Sequence, residues 1–248
     1  MKKKKGWVKV GISPSGIWRP GNPAGIEANL DAYSMIYADA RKWLASGWCD
    51  YFTPQLYWRI RPREQSFSAL AGWWAQQNRS GRHVWPGIAT SRIKSSDDPG
   101  RPASEIVRQI AVCRSVFPQG KSGHCHWSYK ALEQDRGGIA GQLSKIYPGR
   151  AVVPAMPWLS RGSPAKPRLT VAKQGGKISL EWRAGRGSKP PRWWAIQSQA
   201  SAGSPWVTTH VLWNQQTRLQ LAGIPHAVSV TAIDAYGNAG EAAVFDVE

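Results

Sequence analysis

Four segments of this chain share one pattern, a short apolar run that ends in Trp, Tyr, Ser or Gln next to a helical segment. The runs lie within Val10 to Gly21, Asp50 to Trp58, His83 to Thr90 and Gly123 to Leu132. Strands that alternate with helices predict βα units and a parallel sheet. Polar and aromatic residues at the C-terminal ends of such strands typically build a ligand site. The pattern therefore predicts an α/β fold with a site at one edge of its sheet.

The expected strands and helices form four βα units. The strands are predicted over 7–13, 50–57, 83–89 and 123–129, and apolar residues at helical spacing predict helices over 29–47, 66–79, 104–116 and 138–146. Asn29 and Gly47 are suited to begin and end the first helix. A closed TIM barrel needs eight such units and about 250 residues. We therefore predict a partial TIM-type barrel with four of its βα units.

A change of period marks a second domain. The segment 161–167 is rich in Pro, Gly and basic residues, as linkers are, and short alternating strands with Gly-rich turns follow over 168–248. About 80 residues of this kind predict a β-sandwich. The final VSVTAIDAYGNAGEAAVFDV resembles the last two strands of a fibronectin type III module. We predict a barrel part over 1–160, a linker over 161–167 and a fibronectin type III-like sandwich over 168–248.

Composition limits the classes of partner. The net charge of +18 favours polyanions, but the basic residues are scattered and their one tight cluster, Lys2–Lys5, is typical of a solvated tail. We expect no specific nucleic-acid surface and no transmembrane segment. No apolar run after the lysines has the length of a signal peptide, so a cytoplasmic location is expected if Met1 is the genuine start. Cys49, Cys113 and Cys125 have no paired spacing, which predicts buried thiols rather than disulfides.

Several motifs in one order resemble the glycosyl hydrolase-like 10 family of bacteria. They are GISPSGIWRPG, LDAYSMIYADARKWLASGWCDYFTPQLYW, GRHVWPGIA and PAMPWL, within about residues 7–160. The resemblance implies the second half of a TIM-barrel glycosidase, sometimes joined to a fibronectin-like domain. It also implies glycoside hydrolase activity, a bacterial cell-wall (peptidoglycan-type) glycan as substrate and a location in the periplasm or cell envelope.

The candidate substrate-binding residues lie at or near the ends of the predicted strands. Aromatic rings there can stack on a sugar, and amides or hydroxyls can bond to its hydroxyls. Arg19 is suited either to bind a carboxylate or to pair with Glu27 or Asp31. The predicted set is Ser13, Trp18, Arg19, Gln55, Tyr57, Trp58, Trp85, Ser128, Tyr129 and Lys130.

No catalytic residue can be assigned from the sequence. Glycoside hydrolysis needs two carboxyl groups, and in the family the likeliest source is a strand of the first half-barrel that is absent from these 248 residues. Asp97 and Asp98 follow the third strand, where adjacent acids are usually solvated turn residues. His124 and His126 share one strand face, but two ligands are too few for a metal site. We expect no metal and no cofactor.

Three functions remain open at this point. The first is a glycoside hydrolase-like protein that acts on or binds cell-wall glycan through aromatic strand-end residues. The second is a non-catalytic glycan-binding or interaction protein, and the third is a basic nucleic-acid binder. Because four strands would leave two unpaired edges, we also expect self-association, pairing with a separately encoded first half-barrel, or a truncated gene product.

Overall fold

The computed structural model describes residues 4–117, 122–187 and 189–247. It divides into two compact units, Lys9–Ile146 and the chain from Tyr147 onward, and the residues up to Val8 are grouped with the second. The first unit has an apolar core beneath its helices, and the second has a separate core between β-sheets. We call them the α/β unit and the β unit.

The α/β unit is built on short parallel strands. Its pairs run in the order β1-β2-β3 and β4-β5, and every pair is parallel. Isolated parallel bridges join Ser15 to Gln55 and Gln55 to Gly87, which continues the pairing between the two sets. The strands are Gly11–Ile12 (β1), Tyr51–Phe52 (β2), His83–Val84 (β3), Gly87–Ile88 (β4) and Cys125–His126 (β5).

Prolines explain why these strands are much shorter than the sequence predicts. Pro14, Pro54 and Pro86 each follow the first paired residues of a strand, and a proline has no N–H to donate to a ladder. Their carbonyl oxygens still accept hydrogen bonds from amides of the next strand, at 3.1, 2.8 and 3.0 Å. The first three predicted spans are therefore wrong in length, because each of those ladders loses a bond at its proline; the fourth span, 123–129, contains no proline and is also shorter than predicted.

Three of the four predicted helices are present with nearly the expected bounds. The segments 66–79, 104–116 and 138–146 correspond to α3, α4 and α6. Ser66 begins α3 as predicted, with its hydroxyl accepting from the Ala69 amide at 3.3 Å. The helices are Ala32–Ile36 (α1), Ala40–Ala45 (α2), Phe67–Gln77 (α3), Ala103–Val116 (α4), Tyr129–Glu133 (α5) and Ile139–Ile146 (α6).

The predicted helix over 29–47 is wrong as a single element, since it is divided into α1 and α2. Asp31, rather than Asn29, caps α1, and Asp39 caps α2 by accepting from the Lys42 amide at 3.2 Å. Between them Tyr37 has a left-handed backbone with φ of 54°. A carboxylate inside an apolar helical pattern bonds to the backbone of the following turn, so it starts a new helix there.

One face of the parallel sheet packs on the helices. Phe52, Leu56 and Ile88 are fully buried in this core, and the Phe52 ring lies 5.5 Å from that of Trp74 in α3. Because side chains alternate along a strand, residues 51, 53, 55 and 57 point to the opposite face. That face carries the site described below.

The β unit consists of two antiparallel sheets. Their orders are β10-β7-β6 and β12-β11-β8-β9, and the rings of Trp182 and Trp194 meet in the core at 6.1 Å. Seven strands in these two sheets form a fibronectin type III-like sandwich. The strands are Arg168–Gln174 (β6), Lys177–Arg183 (β7), Trp193–Gln199 (β8), Val207–Trp213 (β9), Arg218–Ala222 (β10), Ala227–Ile233 (β11) and Ala243–Asp246 (β12).

The chain just before the sandwich also belongs to the β unit. Met156 is fully buried, and its amide donates to the Tyr236 carbonyl at 3.0 Å. The Arg150 amide donates to the Thr208 carbonyl of β9 at 2.8 Å. The unit therefore begins at Tyr147, ahead of the segment 161–167 that the sequence marks as a linker. Within the described residues, no helix combines the length and the apolar character needed to cross a membrane.

Candidate ligand-binding site

The face of the parallel sheet opposite the helices carries four aromatic rings. Those of Tyr51 and Trp85 are stacked with centroids 5.1 Å apart, and those of Tyr57 and Trp127 are stacked at 6.4 Å. Trp127 is 59% exposed. Polar side chains of the same strands complete this surface, which we call the aromatic face. It comprises Ser13, Tyr51, Thr53, Gln55, Tyr57, Trp85, Cys125 and Trp127.

Glycines in or just before neighbouring strands make room for the rings of Tyr51 and Trp85. A Cβ atom on Gly11 would lie 2.1 Å from the Tyr51 ring, and one on Gly123 would lie 2.6 Å from the Trp85 ring. Any side chain at either position would displace the ring. The two aromatic side chains therefore lie against the backbone at Gly11 and Gly123.

Hydrogen-bonding groups lie between the rings. The Gln55 side-chain amide donates to the Ser13 carbonyl at 3.2 Å and lies 3.5 Å from the Ser13 hydroxyl. Burial raises the pKa of the Tyr57 hydroxyl. Partial desolvation by neighbouring groups also raises the pKa of the thiol of Cys125, a residue exposed overall, against a hydrogen bond with Thr53 that lowers it. Both groups are therefore protonated at neutral pH, which leaves the aromatic face uncharged and able to donate to hydroxyls.

The segment over residues 90–101 contacts the backbone of the two residues that carry the second ring pair, Tyr57 and Trp127. Arg92 Nη1 and Arg101 Nη2 donate to the Tyr57 carbonyl at 3.2 and 3.1 Å. The Ser91 amide donates to the Trp127 carbonyl at 2.7 Å. One segment thus fixes the residues that carry both rings.

Asp98 in turn forms an ion pair with Arg101 of this segment. Its carboxylate accepts from Arg59 and, at 2.7 Å, from Nε of the buried Arg101. The hydrogen bond from Arg59, followed by that from Arg101, lowers the pKa of Asp98. The expectation of a solvated turn residue is therefore wrong for Asp98, because it bridges two guanidinium groups. Asp97 is exposed.

Four of the sequence-predicted site residues lie on the aromatic face: Ser13, Gln55, Tyr57 and Trp85. Trp58 points the other way and packs against the helix-side core, as alternation requires when Tyr57 lies on the aromatic face. Its carbonyl accepts from the Gln109 side chain at 2.8 Å.

Trp18 and Arg19 lie on the helix side of the sheet. The Trp18 ring is stacked on Trp73 at 6.0 Å and meets Tyr33 edge-on at 5.8 Å. Of the roles considered for Arg19, the structure shows the ion pair with Asp31, at 3.1 Å.

The fourth predicted strand, 123–129, is wrong at its C-terminal end, because it does not reach Ser128, Tyr129 and Lys130. The strand ends at His126, Ser128 precedes α5, and Tyr129 and Lys130 form its first turn. Ser128 has an extended backbone and makes no capping hydrogen bond with its side chain, so the helix that follows begins at Tyr129. Tyr129 is 72% exposed.

Sequence reasoning missed half of the aromatic face, namely Tyr51, Thr53, Cys125 and Trp127. Counting back every second residue from Tyr57 would have found Thr53 and Tyr51. The prediction of three buried thiols is wrong for Cys125, which is exposed, whereas Cys49 and Cys113 are buried. Burial raises the pKa of Cys113 to about 12.

Most carboxylates of the α/β unit for which contacts are described have structural partners. Asp31 and Asp39 cap helices, and buried Asp50 accepts from the Val10 amide at 2.8 Å. Glu105 accepts from the Ile60 amide at 2.7 Å and pairs with Arg108. None of the eight residues that define the aromatic face is an acid.

Two histidines lie next to this region. The rings of His124 and His126 are 5.0 Å apart, and His126 Nδ1 lies 2.7 Å from the Thr90 hydroxyl oxygen. In the part of the chain that the structure describes, no three His, Cys, Asp or Glu side chains cluster as a metal site would require.

Fold and site together define the class of protein: an α/β unit with an aromatic face on its parallel sheet, joined to a fibronectin type III-like sandwich. Residues 1–101 match the model of the family "Glycosyl hydrolase-like 10". This match supports the family assignment that the motifs of the first part of the chain predict.

Two named relatives support this assignment. Glycosyl hydrolase YngK of Bacillus subtilis (strain 168) is 37% identical over 177 residues, which are 68% of this chain and 34% of that protein. Glycosyl hydrolase DigH of Escherichia coli (strain K12) is 35% identical over 97 residues, 38% of this chain and 22% of that protein. The matched part therefore spans about a third or less of either relative.

Solved structures show weaker likenesses. The spore cortex lytic enzyme SleM of Clostridium perfringens is 13% identical, with 98% of both chains covered and a TM-score of 0.31. The fn3 domain of the human collagen alpha-1(XX) chain is 18% identical over 36% of this chain and 85% of that one, with a TM-score of 0.29. TM-scores this low do not establish a shared fold.

Proposed function

We propose that this chain binds bacterial cell-wall glycan of the peptidoglycan type on its aromatic face. The observation that carries the proposal is the pair of stacked rings, Tyr51 with Trp85 and Tyr57 with Trp127, on one side of the sheet. A pyranose ring has an apolar face that stacks on flat aromatic surfaces, and its hydroxyls need donors and acceptors nearby. Gln55 and Ser13 supply such groups.

Family membership supports the same ligand class, since both relatives above are named glycosyl hydrolases. The net charge of +18 suits a wall polymer that carries carboxylates or phosphates. A location in the cell envelope is part of this proposal.

Binding is favoured over hydrolysis for the residues described here. Hydrolysis needs two carboxyl groups about 5–5.5 Å apart for retention or about 6.5–9.5 Å apart for inversion. The aromatic face supplies none. Asp98 and Glu105, which contact Arg59 and the Ile60 amide just after Tyr57, are also engaged by Arg101 and Arg108. The hydrogen bonds from Arg59 and Arg101 lower the pKa of Asp98, so this carboxyl is ionised at neutral pH and unsuited to act as a general acid.

Isothermal titration with soluble peptidoglycan fragments tests the proposal. Trp127→Ala and Tyr57→Ala each remove one ring of the Tyr57–Trp127 pair. Because a stacking contact contributes about 1 kcal/mol, each variant should bind the fragments several-fold more weakly. The control is Trp48→Ala, because Trp48 is 63% exposed and lies outside the aromatic face. Equal affinities for the wild type and the Trp127 and Tyr57 variants would refute the assignment of this face.

Hydrolysis is the second candidate, favoured by the names of the relatives. Release of reducing ends from purified sacculi measures it. If the wild-type chain releases them and Asp97→Asn abolishes the release, exposed Asp97 acts as an acid or base and binding alone is an incomplete description. No release above a no-enzyme control supports a binding role for this chain.

We also infer that the parallel strands β1–β5 form part of a TIM-type barrel. The parallel pairing, the helices on one face and the site on the other support this inference. The remaining wall would come from a separately encoded half-barrel, from a second copy of the chain, or from a part of the gene product that these 248 residues do not include. Sedimentation velocity of the purified chain, alone and with a candidate partner, measures either association.

A further inference from the structure

An exposed apolar tip ends helix α1 on the helix side of the α/β unit. Met35, Ile36 and Tyr37 are 63%, 65% and 88% exposed, and they are consecutive in the chain. The Tyr37 amide donates to the carbonyl of the buried Ala32, so the backbone of the tip is fixed. Adjacent large apolar side chains in water usually mark a surface that meets an apolar partner.

A cavity with several cations is lined by residues that precede and follow this tip in the chain. A cavity of about 420 Å³ opens beside Tyr33 of α1 and is lined by four basic residues and one acid. Arg19 lies over the Tyr33 ring at 4.8 Å, and Arg41 over the Trp18 ring at 5.1 Å, so aromatic rings hold both guanidinium groups. The basic residues are Arg19, Arg41, Lys42 and Arg79, and the acid is Asp39.

These cations are only partly neutralised. Arg19 is paired with Asp31, and the Asp39 carboxylate accepts from the Lys42 backbone amide. Arg41 donates through Nε to the neutral Gln77 side chain at 2.8 Å. The cavity therefore keeps a positive excess, and its lining residues Tyr33 and Arg41 lie within a few residues of the apolar tip on either side along the chain.

We propose that this surface docks on an anionic phospholipid bilayer. Met35, Ile36 and Tyr37 enter the boundary between headgroups and acyl chains, while Arg41, Lys42 and Arg79 take up lipid phosphates. An apolar edge flanked by cations has the composition of interfacial membrane-binding segments. The charge complementarity selects an anionic bilayer over a neutral one. This surface is separate from the aromatic face, so the proposal does not depend on the proposed glycan binding.

Co-sedimentation with vesicles of phosphatidylglycerol and phosphatidylcholine tests it. The variant Met35→Ser/Ile36→Ser/Tyr37→Ser keeps the charge of the protein, so any loss reports on apolar insertion alone. We expect it to bind at least about tenfold more weakly than the wild type. The control Val153→Ser/Ile224→Ser removes two side chains that are 51% and 57% exposed elsewhere, and it should bind like the wild type.

A second variant tests the phosphate contacts. Lys42→Gln/Arg79→Gln should lose affinity for the anionic vesicles and show a shallower dependence on salt, with unchanged weak binding to pure phosphatidylcholine. Wild-type affinity of the triple variant for anionic vesicles would overturn the proposal. So would a triple variant that loses self-association in sedimentation velocity but keeps vesicle binding, since the tip would then be a contact between copies.

Discussion

At the residue scale, His124 shows how burial controls a titrating group beside the site. Burial lowers the pKa of His124 from 6.5 to about 4, and the nearby His126 and Arg114 act in the same direction. The folded chain therefore disfavours the imidazolium form. Between pH 6.5 and about 4 the unfolded chain binds more protons at this residue than the folded chain does.

The stability of the α/β unit should fall as the pH is lowered through that window. The pKa difference corresponds to about 3 kcal/mol at most, present in full above pH 6.5 and lost towards pH 4. Urea unfolding at pH 7 and pH 5 measures it. The His124→Gln variant, which cannot titrate, should lose less stability between the two pH values. An equal loss in both proteins would place the pH dependence elsewhere.

Half of the residues of the aromatic face were predicted from the sequence, and strand alternation explains two of those that were missed. Gln55 and Trp58 cannot share a face, because alternation separates residues an odd number apart. Applied strictly, this rule selects Tyr51, Thr53, Gln55 and Tyr57 together. The outcome for Trp18 could not be foreseen in this way, since it depends on stacking with Trp73, a contact between distant parts of the chain.

At the scale of elements, Gly72 lies in the middle of helix α3, and nothing approaches within 4 Å of where its Cβ would be. Gly72→Ala should therefore stabilise the protein by about 0.5–1 kcal/mol, because alanine loses less backbone entropy in a helix. Chemical denaturation measures the change. Gly81→Ala is the contrast, since Gly81 has equal space but a φ of +61°, and it should destabilise the protein.

The helices, whose bounds depend on interactions within one stretch of sequence, were largely predictable. The strand lengths, which depend on pairing with distant parts of the chain, were not. Helix α3 has its Ser66 cap and its apolar spacing within one stretch of sequence, and its bounds were nearly right. The length of β2 depends on an amide that Pro54 lacks and on which strand lies next to it. The break at Tyr37 could have been anticipated from Asp39, a favoured cap residue inside the apolar pattern.

At the scale of the whole molecule, the two units have separate cores with no residue in common. We expect calorimetry to show two unfolding transitions rather than one. Leu70→Ala should lower only the transition of the α/β unit and Ile196→Ala only that of the β unit. Each deletes a fully buried side chain at a cost of about 2–5 kcal/mol. A single transition shifted by either variant would contradict this division.

The segment over residues 90–101 has a practical consequence for protein engineering. It holds the carbonyl groups of both Tyr57 and Trp127, yet it contributes no ring to the aromatic face. If the proposed glycan binding is confirmed, libraries aimed at a new saccharide preference can vary the exposed positions of this segment, such as Lys94 and Ser96, and keep every stacking residue. Backbone shifts there would act on the spacing of the Tyr57 and Trp127 rings, so selection among sugars would depend on their width rather than on new hydrogen bonds.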